Sequence, residues 1–252
     1  MIEQRSTQMR LMIEQVCGDE QVPFIACVKT NDIIAKRASR ALIESLLSDS
    51  SAQIDSIGNG DCVLVGCHDV RDSIAGFGGD SDSSDDLDDI RSAMLLASWS
   101  QSGWEAFDEQ FALLNEKIQS RGARLMIEPS SKGMLSDAIS TCAWARRSGG
   151  HDQASGGWSM LIDPVGWLVD SMMRDVDDHL RRLCELSIEC PNVELVRVRS
   201  VKRTDDGSLV ACSLSEGDLD AAMILDRLGG LIERASGVVV LDESDIKLMS
   251  ER

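Results

Sequence analysis

Three acidic residues stand at the carboxyl ends of three apolar runs: Glu128 in MIEP, Asp163 in LIDP and Asp242 in VVLDE. Glu128 and Asp163 are each followed directly by proline. Proline lacks the N–H that a β-ladder needs, so both acids mark the point where a strand gives way to a loop. In a parallel α/β barrel all strand ends of one kind converge on one face, where carboxylates can share a divalent cation. One acid at a strand end means little, but three among six candidate strands is a pattern that asks for chemistry.

The elements that must carry these acids follow a repeated rhythm: a short apolar run, a polar turn, then an amphipathic stretch of helical length. That is the pattern of βα units. Candidate strands cover 22–28 (VPFIACV), 62–67 (CVLVGC), 124–128 (RLMIE), 159–163 (SMLID), 193–199 (VELVRVR) and 237–242 (GVVVLD). They are near-continuous in Val, Ile and Leu, as parallel strands covered on both faces are. Helices are predicted over 32–56, 104–121, 134–147, 175–189 and 217–234, with a leading helix over 3–17. In the second, Phe107, Phe111, Leu114 and Ile118 recur at helical spacing before Gly122, which reads as core packing. Two segments interrupt the rhythm. Residues 69–103 form an acidic Gly/Ser/Asp-rich insertion with six aspartates between Asp80 and Asp89, without the ordered ligand spacing and closing Glu of a calcium loop. Residues 200–216 follow a strand end, where α/β folds place working loops.

Composition narrows the functions. The 252 residues hold 25 Lys+Arg against 43 Asp+Glu, a formal net charge of −18 that repels phosphate backbones and anionic lipid surfaces. No nucleic-acid partner and no membrane partner are expected, and no apolar stretch is long enough to span a bilayer. Eight cysteines are scattered without a C-x-x-C pair, which reads as free thiols in a reducing cytoplasm. The whole chain, residues 1–252, is expected to form one α/β barrel domain.

The order MIEP, LIDPVGWL, VELVRVRS, SEGDLD before a helix, and VVLDE resembles the second half of the xylose isomerase-like TIM barrels, the sugar phosphate isomerase/epimerase family, over roughly residues 104–243. The segment 215–228 (SEGDLDAAMILDRL) carries most of it, because the family places such an acidic opening before its last helix. The resemblance implies a (β/α) TIM-type barrel and a divalent metal (Mn, Mg, Co or Zn) held by a Glu, an Asp, a His and a Glu. Glu128 and Asp163 match the first two positions and Asp242 the last, as a shorter acid. Arg197 or Arg199 stands where the histidine belongs; a cation cannot ligate a metal, but a fixed guanidinium could replace its charge. The family's substrate histidine, three residues beyond the Asp, is Gly166 here, beside Trp167. Arg203 falls where some members carry a substrate-binding arginine, and His68 falls at the rim of related sites.

About six of the family's eight βα units are visible, with no counterpart of the first two strands. The resemblance therefore implies an incomplete barrel, from a reading frame shortened at its start or closed by a partner such as a second copy, since open edges associate. The implied reaction is proton transfer next to the carbonyl of a sugar or sugar phosphate. Glu128 and Asp242 would act as base and acid, and a metal or Arg197 would polarise the oxygens, with Arg199, Arg203, His68 and Trp167 as substrate contacts. The competing expectation is a catalytically inactive or repurposed homologue that binds or scaffolds. The DNA-cleaving branch of the superfamily needs more than three histidines and a basic face.

Overall fold

The computed structural model describes residues 10–14, 25–27, 35–37, 59, 62–66, 100–131, 133–148 and 157–250. Its strands are β1 (Arg10–Glu14), β2 (Ile25–Cys27), β3 (Ala35–Arg37), β4 (Cys62–Gly66), β5 (Arg124–Glu128), β6 (Ser159–Ile162), β7 (Val193–Val198), β8 (Ser200–Arg203), β9 (Leu209–Cys212) and β10 (Gly237–Val240). The helices are α1 (Gln101–Gln119), α2 (Ala138–Arg147), α3 (Val176–Ile188), α4 (Ala221–Arg234) and α5 (Glu243–Ser250). Eight strands form one sheet in the order β2-β1-β10-β7-β6-β5-β4-β3, parallel throughout except for the antiparallel β1–β2 pair. β8 and β9 make a separate hairpin. The architecture is an incomplete α/β barrel: the last strand pairs with the first, as in a closing barrel, while β2 and β3 end the hydrogen-bonded order without pairing with each other.

Strand periodicity sorts the side chains into two layers. Cys62, Leu64, Met126, Leu161, Leu195 and Val239 form an inner cluster. The alternate residues Val63, Val65, Leu125 and Ile127 pack outward against Phe107, Phe111, Leu114 and Ile118 of α1. Val196, Val198, Val238 and Val240 pack outward with Leu180 and Cys184 of α3 and Ile224, Leu228 and Leu231 of α4. The helical stripe expected on α1 is thus core, with Phe111, Trp144 and Trp158 in mutual ring contact at 4.8–5.1 Å. Side-chain caps start the helices: Ser100 accepts from Gly103 N–H at 3.2 Å, Asp137 from Ser140 N–H at 2.9 Å, and Asp220 from Ala222 N–H at 2.8 Å.

The front of the chain corrects three expectations. Residues 10–14 form a strand within the predicted leading helix, because Leu11-Met12-Ile13 is a continuous apolar run that pairs in parallel with β10. A first strand therefore exists. The third place is taken by β3, inside the helix predicted over 32–56, while β2 runs antiparallel. Residues 69–99 of the acidic insertion lie outside the described residues, as does His68. Among the described residues, Cys142, Cys184, Cys190 and Cys212 are thiols outside any disulfide. No helix among the described residues is long and apolar enough to cross a membrane.

Candidate functional site

Glu128 ends β5, and Asp163 follows the last residue of β6. Arg197 lies on β7 and Arg199 just after it. By the alternation that puts Met126, Leu161 and Leu195 inside, these four residues share the inner face at the carboxyl end of the sheet. Their side chains form one chain of opposite charges. Arg197 Nη2 donates to Glu128 Oε1 at 2.5 Å, Arg197 Nε lies 3.7 Å from Asp163 Oδ2, and Arg199 Nε lies 2.6 Å from the same oxygen. The Gly166 N–H donates to Asp163 Oδ1 at 2.8 Å. Side-chain exposure is 4% for Arg197 and Asp163, 11% for Glu128 and 18% for Arg199, so water screens these charges little.

Burial sets the electrostatics. It pushes the Asp163 carboxyl above its ordinary value, and the Arg199 charge and the Gly166 N–H pull against that rise. Burial, and then the like charge of Arg199, pull the Arg197 guanidinium down to about 9, which leaves it charged at neutral pH. Gly166 is small for a geometric reason: a Cβ there would lie 2.7 Å from Arg199 Nη2 and 2.8 Å from Asp163 Oδ2. The glycine that departs from the family's histidine makes room for the arginine.

The other predicted residues that fall among the described ones, Asp242, Trp167 and Arg203, lie elsewhere. Asp242 has the parity of Val238 and Val240, the outward positions of β10. It is exposed, and its Oδ1 accepts from Ser244 N–H at 2.7 Å at the start of α5, which holds its carboxyl below the ordinary range. Trp167 is 4% exposed, packed in the outer layer, with its indole N–H donating to the Leu135 carbonyl at 3.3 Å; it is a core residue rather than a substrate wall. Arg203, on the hairpin, pairs with Asp170 at 2.5 Å, and its own backbone N–H donates to Asp218 Oδ2 at 2.7 Å. These contacts tie the hairpin to the turn before α3 and to the segment before α4, where Gly217 comes so close to Ser200 that a Cβ would fall 1.9 Å from its Oγ.

The residues present do not fit the implied metal. Two carboxylates of the expected ligand set are engaged by guanidinium groups and the third lies on the other face. Among the described residues no group of three His, Cys, Asp or Glu side chains could hold an ion.

No protein-family model matches the chain, and no curated protein matches it. Among solved structures it is similar to a mannonate dehydratase from Streptococcus suis serotype 2, with TM-score 0.42 and 10% identity over 83% of this chain and 67% of that one. It is also similar to a xylose isomerase-like TIM barrel protein from Mycobacterium smegmatis in complex with magnesium, with TM-score 0.41 and 13% identity over 84% and 76%. An L-ribulose 3-epimerase gives TM-score 0.39 and 13% identity over 88% and 76%. Likeness at this level assigns no activity to the chain.

Proposed function

We propose that this chain is a sugar or sugar-phosphate isomerase- or epimerase-like barrel protein that works without a divalent metal. The observation that carries the reading is the buried contact between Arg197 and Glu128 on the inner face, at the end of the sheet where barrels do their chemistry. Glu128 takes a proton from the carbon next to the substrate carbonyl, and the C–H electron pair moves into an enediolate whose oxygen gains negative charge. That transfer neutralises Glu128 as the oxyanion forms. The charge of Arg197 can then pass from the carboxylate to the oxyanion with no change in net charge in the buried site. Returning a proton to the opposite face of the same carbon inverts that centre, and returning it to the neighbouring carbon, with the hydroxyl proton passing from one enediol oxygen to the other, isomerises the sugar. Arg199, the most exposed of the four groups, is the candidate contact for a substrate hydroxyl or phosphate. The free thiols suit a reducing, cytoplasmic setting.

The test is deuterium incorporation next to the carbonyl, followed by NMR in D2O with EDTA present, over a panel of ketoses, aldoses and their phosphates. The full chain should exchange at least one of them, and Glu128→Gln should slow exchange by roughly 10²- to 10⁴-fold. Absence of both exchange and binding across the panel sinks the reading. A second reading, a non-catalytic binding protein, is favoured by the way the four charges satisfy one another; its mark is sugar binding without exchange.

A further inference from the structure

Cys142 on α2 and Cys190, just beyond the end of α3, belong to the same buried cluster, at 5% and 2% exposure. Their sulfurs share a hydrogen bond, and the Cys142 Sγ also donates to the Leu186 carbonyl in the last turn of α3 at 3.3 Å. The backbone and a cation hold this contact in place. The Cys190 N–H donates to the Ser187 carbonyl at 3.1 Å, which folds the chain back on the helix end. Arg146, one turn after Cys142 on α2, donates from Nη2 to the Glu189 carbonyl at 3.1 Å. That carbonyl belongs to the peptide that joins Glu189 to Cys190, so the guanidinium is fixed beside the thiol pair. The pair is asymmetric. The hydrogen bond from Cys190, helped by the Arg146 charge, holds the Cys142 thiol below its ordinary value against burial and the carboxylates of Asp137 and Glu189. The same bond, and then burial, push the Cys190 thiol up. Cys184 on α3, by contrast, is raised by burial.

We propose that Cys142 and Cys190 are a redox-active dithiol, a site at which peroxide closes a reversible disulfide between α2 and the end of α3. The proposal does not depend on the sugar reading, and failure of either leaves the other standing. Cys142, as thiolate, attacks one oxygen of hydrogen peroxide. The O–O bond breaks, and hydroxide leaves to take up the proton that Cys142 lost, which gives water and a sulfenic acid on Cys142. Cys190 then gives up its proton and its sulfur attacks the Cys142 sulfur. The S–O bond breaks, and the hydroxide leaves with that proton as a second water. The two thiols lose two electrons and the peroxide gains them. Sulfurs already in hydrogen-bond contact need only a short approach to bond, and a dithiol reductant reverses the step. Cys142 and Trp144 of α2 pack in one cluster with Met160 and Ile162 of β6, so the bond pins the layer behind the strand that leads to Asp163. Such a transient, sensing disulfide is the kind a reducing compartment permits.

The full chain is treated with hydrogen peroxide under native conditions, alkylated and mapped by mass spectrometry. A 142–190 link is expected, removed by dithiothreitol and absent in Cys142→Ser and in Cys190→Ser, while Cys184 stays a thiol. In Cys190→Ser the sulfenic acid on Cys142 has no thiol to resolve it and should be trapped by dimedone. In Cys142→Ser, dimedone should label Cys190 at least about tenfold less. A native parent chain without the 142–190 link, or a link that forms only in urea, overturns the proposal. So does dimedone labelling of Cys190 equal to or above that of Cys142.

Discussion

Arg199 occupies the space that any side chain at position 166 would need, and its guanidinium is the closest cation to a carboxylate that is 4% exposed. Removing one partner of a buried pair leaves the other charge uncompensated, which typically costs about 3–5 kcal/mol. Arg199 is partly exposed, so Arg199→Met is expected to cost less, about 2 kcal/mol, in urea denaturation. The cost should also depend on pH. Burial raises the folded pKa of Asp163 above its ordinary value of 3.8, and losing Arg199 raises it further. A raised carboxyl binds more protons in the folded state, so its penalty is absent well below pH 3.8 and grows as pH rises through the folded value. Arg199→Met should therefore be more damaging at pH 8 than at pH 5; an equal loss at both would show that Asp163 is not desolvated as described. Thiols extend the same reasoning. Burial pushes Cys184 up to about 12, so it should stay unmodified by a thiol reagent at pH 8 in the native chain and react on unfolding.

Each element positions the site through what it packs on its far side. Trp144 of α2 is fully buried, touches Phe107, Phe111 and Trp158, and donates its indole N–H to Asp108 at 2.7 Å. It joins α2 to α1, which in turn covers the outer faces of β4 and β5. Trp144→Ala should cost about 3–5 kcal/mol in denaturant unfolding, through the cavity and the orphaned Asp108 acceptor. The β8–β9 hairpin depends on its turn. Asp206 accepts from the Ser208 N–H at 3.1 Å and from the Thr204 hydroxyl, and these bonds lower its carboxyl to about 2, with the Thr204 contribution the largest. Its support of the turn is present above the ordinary value of 3.8 and is lost as pH falls through about 2. A carboxyl titration by NMR should find a midpoint near 2 that moves towards 3.8 in Thr204→Val; an unmoved midpoint would remove Thr204 from the account. The helices α1 to α4 and the five strands from β4 to β10 in the main sheet were legible in the sequence because their apolar spacing is strong, whereas α5 was not foreseen. β1 and β3 were not legible: at 10–14 the same pentapeptide that reads as a strand at β5 sits in a stretch of mixed charged and apolar residues without a turn signal, and β3, Ala-Lys-Arg, has no apolar run.

At the scale of the whole molecule, the first strand pairs with the last, β1 with β10, and alternating guanidinium and carboxylate groups stand where a metal set was expected. Dialysis against EDTA should leave the melting temperature unchanged, and added manganese should not raise it. A rise of several degrees that disappears in both Glu128→Gln and Asp163→Asn would restore the metal reading. The residues of the site were largely legible from the chain alone: Glu128, Asp163, Arg197 and Arg199 stand out as charges ending apolar runs, and they do converge. By itself the sequence determined the βα rhythm, the amphipathic faces and the identity of these four groups, because such patterns are local and periodic. Only the tertiary structure decided which acid shares their face. The pleat has a period of two, so a single residue of offset sends Asp242 outward with Val238 and Val240. The partner strand across the sheet, which no local pattern reveals, sets the register that puts Val239 and Arg197 in one inward row.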